Sequence, residues 1–113
     1  RYCAANREYY VPSGETAVDE YIRHMEASFD LYEKLLAAGW KKERARAVLG
    51  LGVYTEFIWT VNAWSLMNWL TKRIHPSAQW EHRQYALGVL QLYEEAMPIT
   101  AQAFKEFVLR QVT

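Results

Sequence analysis

The run Val53-Tyr54-Thr55-Glu56-Phe57-Ile58-Trp59-Thr60-Val61 passes directly into Asn62-Ala63-Trp64-Ser65-Leu66-Met67-Asn68-Trp69-Leu70-Thr71-Lys72-Arg73, and the hydrophobic period changes at Asn62. In the first part Val53, Thr55, Phe57, Trp59 and Val61 alternate with Tyr54, Glu56, Ile58 and Thr60. That β-branched and aromatic alternation predicts a strand. In the second part Leu66, Trp69 and Leu70 share one face at helical spacing, which predicts a helix through Arg73 with Asn62 as its N-cap. The His75-Pro76 pair closes it, because a residue before proline avoids helical geometry.

Upstream, Val18, Tyr21, Ile22, Met25, Phe29, Tyr32, Leu35 and Leu36 recur at three and four, predicting a helix from Ala17 to Ala38 with Thr16 as cap and Gly39 as stop. Tyr9 to Pro12 reads as a short extended piece ending in a Pro-Ser-Gly turn. A short helix is expected from Lys42 to Leu49, broken by Gly50 and Gly52. Downstream, Ser77 is expected to open a long helix to about Ala96, with Tyr85, Val89, Leu92, Tyr93 and Ala96 turned inward. Pro98 separates it from a last helix beginning near Thr100. The expected fold is mainly α with a minor β strand element, one unit over residues 1–113.

Half of the residues are hydrophobic (51%) and 15% are aromatic, enough to bury a core. Thirteen Lys and Arg balance thirteen Asp and Glu, so no net field draws the chain to nucleic acid or an anionic membrane surface. No apolar run reaches the roughly 20 residues of a transmembrane helix, and we expect a cytoplasmic protein. The chain opens on Arg1 rather than Met, from which we expect a fragment or a processed chain.

Metal chemistry has little to stand on, since His24, His75 and His82 fall in different elements without ligand-spaced partners. Cys3 lies far in sequence from any histidine, and Gly50-Leu51-Gly52 lacks the glycine pattern of a phosphate loop. The segment from Arg44 to Arg83 is more informative, because polar residues interrupt an apolar, aromatic framework there. Arg46, Asn62, Asn68 and Arg73 are the candidates. A helix start at Asn62 leaves backbone N–H groups free for a phosphate or an electron-rich ring edge. Each has an ordinary alternative: a helix-terminal arginine commonly neutralises the macrodipole, and a mid-helix asparagine commonly faces water.

The run from Tyr54 to Leu70, with Arg73 and then Ala78-Gln79-Trp80-Glu81, closely resembles the flavin-dependent thymidylate synthases. Arg1-Tyr2 is similar to the end of that family's serine-rich nucleotide signature, Tyr9 to Pro12 to the strand after it, and Ala45 to Leu49 to its nucleotide-contacting helix. The resemblance implies the C-terminal portion of an α+β fold lacking the N-terminal half, where the family carries an arginine-histidine-arginine motif. It implies that Arg1, Arg46 and Arg73 contact deoxyuridine monophosphate (dUMP), with Arg73 favouring ionisation at N3 of the uracil. It implies that Asn62, Ala63, Trp64 and Asn68 border FAD.

By the same resemblance the reaction is reductive methylation of dUMP to dTMP with methylenetetrahydrofolate and NADPH as co-substrates, in a homotetramer. Two departures stand out: Trp64 where the family commonly has Arg, and Gly50 where it commonly has Pro. Other readings are a catalytically inactive nucleotide- or flavin-binding remnant, and a helical oligomerisation module.

Overall fold

The computed structural model describes residues 5–111, so Arg1 and Cys3 lie outside the described residues. The chain divides into two compact units, Arg1–Ile58 and Trp59–Thr113. Among the described residues the architecture is helical, with strand character confined to one isolated bridge.

The first unit is built on α1, Val18–Ala37. Its apolar stripe packs as the periodicity predicts: Met25, Phe29 and Tyr32 are buried, and Val18, Tyr21, Ile22, Leu35 and Leu36 are half-buried. The cap is Ala17 rather than Thr16. Ala17 adopts a left-handed φ of 58°, and no side chain caps the helix start. Asp19 and Glu20 in the first turn complement the macrodipole instead.

At the other end Gly39, at φ 92°, donates its backbone N–H to Leu36 while Trp40 donates to Leu35. These paired bonds make a Schellman stop, which requires the left-handed conformation that glycine adopts without a Cβ penalty. The short helix α2, Lys42–Ala45, continues into a 3-10 turn, Arg46–Val48, rather than one α-helix to Leu49. Its Ala45 is fully buried.

The strand expected from Val53 to Val61 does not form. Only Val53 pairs, in an antiparallel bridge with Tyr9, flanked by bonds from Tyr10 N–H to Gly52 C=O (2.8 Å) and from Tyr54 N–H to Glu8 C=O (3.1 Å). Alternation reports side-chain preference, whereas a ladder also needs a second edge to pair the backbone. Among the described residues no such edge lies along 55–61, and Phe57 and Ile58 are 79% and 96% exposed.

Among the described residues the second unit holds three α-helices and a closing 3-10 turn, Leu109–Gln111. In α3, Ala63–Ile74, Asn62 caps the start as expected, its side-chain oxygen accepting the Ser65 backbone hydrogen at 2.8 Å. Next, α4 runs Trp80–Ala96, beginning three residues after the expected Ser77. The reason is local: His75 Nδ1 is engaged by both the Ser77 backbone N–H (3.1 Å) and the Ser77 hydroxyl (2.7 Å), so Ser77 belongs to a turn. In α5, Pro98–Phe107, proline takes the first helical position, where its missing N–H is harmless.

Leu70 and Ile74 of α3, Ala86, Leu90 and Tyr93 of α4, and Ala101 and Phe104 of α5 form the core with Leu109. The inward face of α4 is therefore rotated from the expected one. Tyr85 and Leu92 are 67% and 63% exposed, and Ala96 is exposed. Both faces of α4 are apolar, so periodicity alone could not choose between them; the small Ala86 is the residue that meets the core. No helix among the described residues is long and apolar enough to cross a membrane.

Candidate functional site

The first two turns of α3 carry most of the candidates. An α-helix leaves its first N–H groups without intrahelical partners. Here the Asn62 side chain takes that of Ser65, and those of Ala63 and Trp64 have no partner among the described residues. Trp64 is 80% exposed, and Asn68, one turn further, is also exposed.

Trp64 and Asn68 line a cleft of about 280 Å³ with Met67, Thr71, Phe104 and Val108, between α3 and α5. Ala63 belongs elsewhere, to a cleft of about 290 Å³ that includes Val61, Leu66, Val89, Leu92 and Met97. Of the four residues expected to border a flavin, Trp64 and Asn68 thus line one cleft, Ala63 lines the other and Asn62 lines neither.

Arg73 lies in the last turn of α3, exposed, and its side chain has no hydrogen bond or ion pair among the described residues. Five residues separate it from Asn68, about 140° around the helix, so the two face different directions. Just over three turns separate it from Asn62, and the accumulated rotation brings both onto about the same face. The α3 end is closed from α4, where Arg83 Nε donates to the Ile74 carbonyl at 2.8 Å. Beside it Trp69 meets Trp59 edge-on at 5.2 Å and His82 at 5.5 Å.

Arg46, in the first unit, is exposed in the 3-10 turn after α2. The strongest electrostatic cluster of that unit was not anticipated. Arg7 reaches Glu26 (2.9 Å), Asp30 and Glu33 on α1, and its guanidinium lies 5.8 Å over Phe29. Bonds to Asp30 and Glu26 raise the Arg7 pKa further above its ordinary value. The Tyr9 hydroxyl donates to Glu26 at 2.8 Å, and this bond, with desolvation, raises the tyrosine pKa. The signal was available, since Glu26, Asp30 and Glu33 form an acidic stripe at helical spacing. Phe104 and Val108, by contrast, carried no pattern tying them to Trp64.

The family profile described as "Thymidylate synthase complementing protein" matches residues 1–99. The flavin-dependent thymidylate synthase of Thermotoga neapolitana is 41% identical over 120 residues, covering 97% of this chain and 56% of that protein. That of Thermosipho africanus is 43% identical over 96 residues, covering 85% of this chain and 42% of its own length. A more distant relative of the same name, from Thermus thermophilus, is 40% identical over 82 residues, 73% of this chain and 30% of that protein. The chain spans about half the length of the curated relatives it matches. With a profile that covers nearly all of it and relatives that agree in name, the chain belongs to the flavin-dependent thymidylate synthase family.

Proposed function

We propose that this chain forms part of a cytoplasmic flavin-dependent thymidylate synthase, converting dUMP to dTMP with methylenetetrahydrofolate as one-carbon donor, FAD as bound cofactor and NADPH as reductant. One observation carries the reading. The segment that most resembles the family, residues 54–73, also holds free backbone N–H groups at Ala63 and Trp64, an exposed indole, an exposed amide at Asn68 and an exposed Arg73.

These residues suit a flavin nucleotide. The Asn68 amide can donate and accept at a ring edge, the Trp64 indole offers a face, and the helix-start N–H groups favour an anionic oxygen. When bound and reduced, a flavin supplies the hydride that the methylation requires. Arg73 keeps its charge at any working pH, so it stabilises a uracil deprotonated at N3 and makes C5 more nucleophilic. Arg46 and Arg1 supply further positive charge for the dUMP phosphate. The assembly is a homo-oligomer, a tetramer by analogy with the family. Exposed Phe57, Ile58, Ile99 and Phe107 support burial against other subunits.

The test supplies the other half. Residues 1–113 are joined to the N-terminal portion of the Thermotoga neapolitana relative, and dTMP formation is measured with and without FAD. Flavin-dependent turnover is expected. Bound FAD without turnover would mean a non-catalytic remnant, and neither would mean a helical oligomerisation module.

A further inference from the structure

We propose that Arg7 is a positioning residue for the dUMP phosphate: through Glu26, Asp30 and Glu33 it latches residues 5–10 onto α1, the helix that also seats the turn carrying Arg46. The inference deepens the reading above and rests on it for the nucleotide. The latch itself rests on the structure alone.

The segment is fastened at alternate residues, the period of an extended chain. The Ala5 N–H donates to the Tyr32 hydroxyl at 3.1 Å, and the Tyr9 hydroxyl donates to Glu26 while its ring stacks on Phe29 at 6.1 Å. Between them lies Arg7. Its guanidinium donates to all three carboxylates and, at 3.0 Å, to the Glu26 carbonyl. Glu26, Asp30 and Glu33 form one row along α1, where like charges at this spacing repel one another. A planar fork with several donors is the side chain that can bridge the whole row.

The same helix holds the Arg46 turn. Ala45 is fully buried, and α2 and the turn both pack on α1. The chain leaving the turn runs so close to α1 that a Cβ at Gly52 would overlap the Tyr21 hydroxyl, and one at Gly50 would touch Met25 Sδ at 3.5 Å. Val53 then pairs with Tyr9, which joins the two fastened pieces side by side. Their arginines are left with different tasks. Arg7 is neutralised by its carboxylates, whereas the Arg46 side chain is exposed with no hydrogen bond or ion pair among the described residues. Arg7 therefore acts as a brace, Arg46 is available to the phosphate, and Arg1, six residues before Arg7 in sequence, is tethered to the same brace.

The experiment uses the assembled enzyme, residues 1–113 joined to the N-terminal portion of the Thermotoga neapolitana relative. Arg7→Gln should raise the KM for dUMP roughly tenfold or more, with kcat at saturating dUMP and FAD affinity within about twofold of wild type. Arg7→Lys, with a point charge in place of the fork, should recover only part of the loss. The deciding variant is Glu26→Gln/Asp30→Asn, which keeps Arg7 and releases it. A brace gives weaker dUMP binding there; a direct phosphate ligand gives tighter binding, and that result overturns the proposal. An unchanged KM for dUMP in folded Arg7→Gln also overturns it, as does an equal loss for dUMP and for deoxyuridine, which lacks the phosphate. If no assembled form makes dTMP, the reading above fails, and amide exchange in the 113-residue chain judges the latch. Arg7→Gln should then speed exchange at Ala5, Tyr10 and Tyr54 roughly tenfold while the α1 amides hold. Unchanged exchange at those three overturns the latch.

Discussion

The Asn62 side-chain oxygen accepts the Ser65 backbone hydrogen at 2.8 Å, so a residue aligned by resemblance with flavin binding is also the one that starts α3. Cap and ligand contact can be separated by substitution. Asn62→Ala should cost about 1 kcal/mol of stability and loosen the turn carrying Trp64, whereas Asn62→Ser should keep the cap. Denaturation and FAD titration of the assembled enzyme decide: if FAD affinity recovers with serine, Asn62 acts through the helix start. A stable serine variant that still fails to bind FAD would assign the amide a direct contact.

Asn68 has a different balance, being exposed and without a partner. Asn68→Ala should change stability by no more than about 0.5 kcal/mol while weakening FAD binding clearly. Equal FAD affinity in both proteins, measured by fluorescence titration, would return Asn68 to an ordinary solvent-facing residue.

Arg73→Ala in the assembled enzyme should abolish dTMP formation and leave the fold intact. Losing an arginine from the last turn of a helix costs about 1 kcal/mol or less. Retention of more than a tenth of wild-type turnover would show that Arg73 does not act on the base.

Alkaline stability should report on Tyr9. Its pKa is raised by the bond to Glu26, so the neutral phenol is the form that the fold favours. The contribution is fully present below the unfolded value near 10 and is lost as pH rises through the higher folded value. Tyr9→Phe should unfold more readily than wild type at pH 8, with the gap narrowing above about pH 10. A gap independent of pH would mean that the hydroxyl bond contributes nothing.

Residues 1–113 alone are expected to be helical, self-associating, nearly colourless and inactive. Losing several charge-assisted hydrogen bonds, each worth about 1.5–3 kcal/mol, weakens nucleotide binding by orders of magnitude. Purification with stoichiometric FAD together with conversion of dUMP by this chain alone would refute that expectation.

The helix ends were legible where one residue type dictates geometry, as at Asn62 and Gly39. They were misread where a side chain had another engagement, as Ser77 has with His75. The inward face of α4 was illegible because Tyr85 and Leu92 continue an apolar pattern on the outside. The strand reading captured the preferences of residues 53–61 but could not know whether an edge was present to pair them. Asn68 and Trp64 were found as single residues, while the cleft joining them to Phe104 and Val108 exists only through the packing of α5 on α3.

That unpaired stretch has a practical consequence. Among the described residues the backbone groups of 55–61 have no hydrogen-bond partner, and the side chains there are aromatic or β-branched apart from Glu56. Such an open edge can pair with the same edge of another molecule. The chain also carries no net charge at pH 7, so little long-range repulsion keeps molecules apart. Concentrated samples should therefore precipitate fastest near neutrality, and handling at pH 8.5 or above, or a lysine placed at Ile58, should keep the protein dispersed.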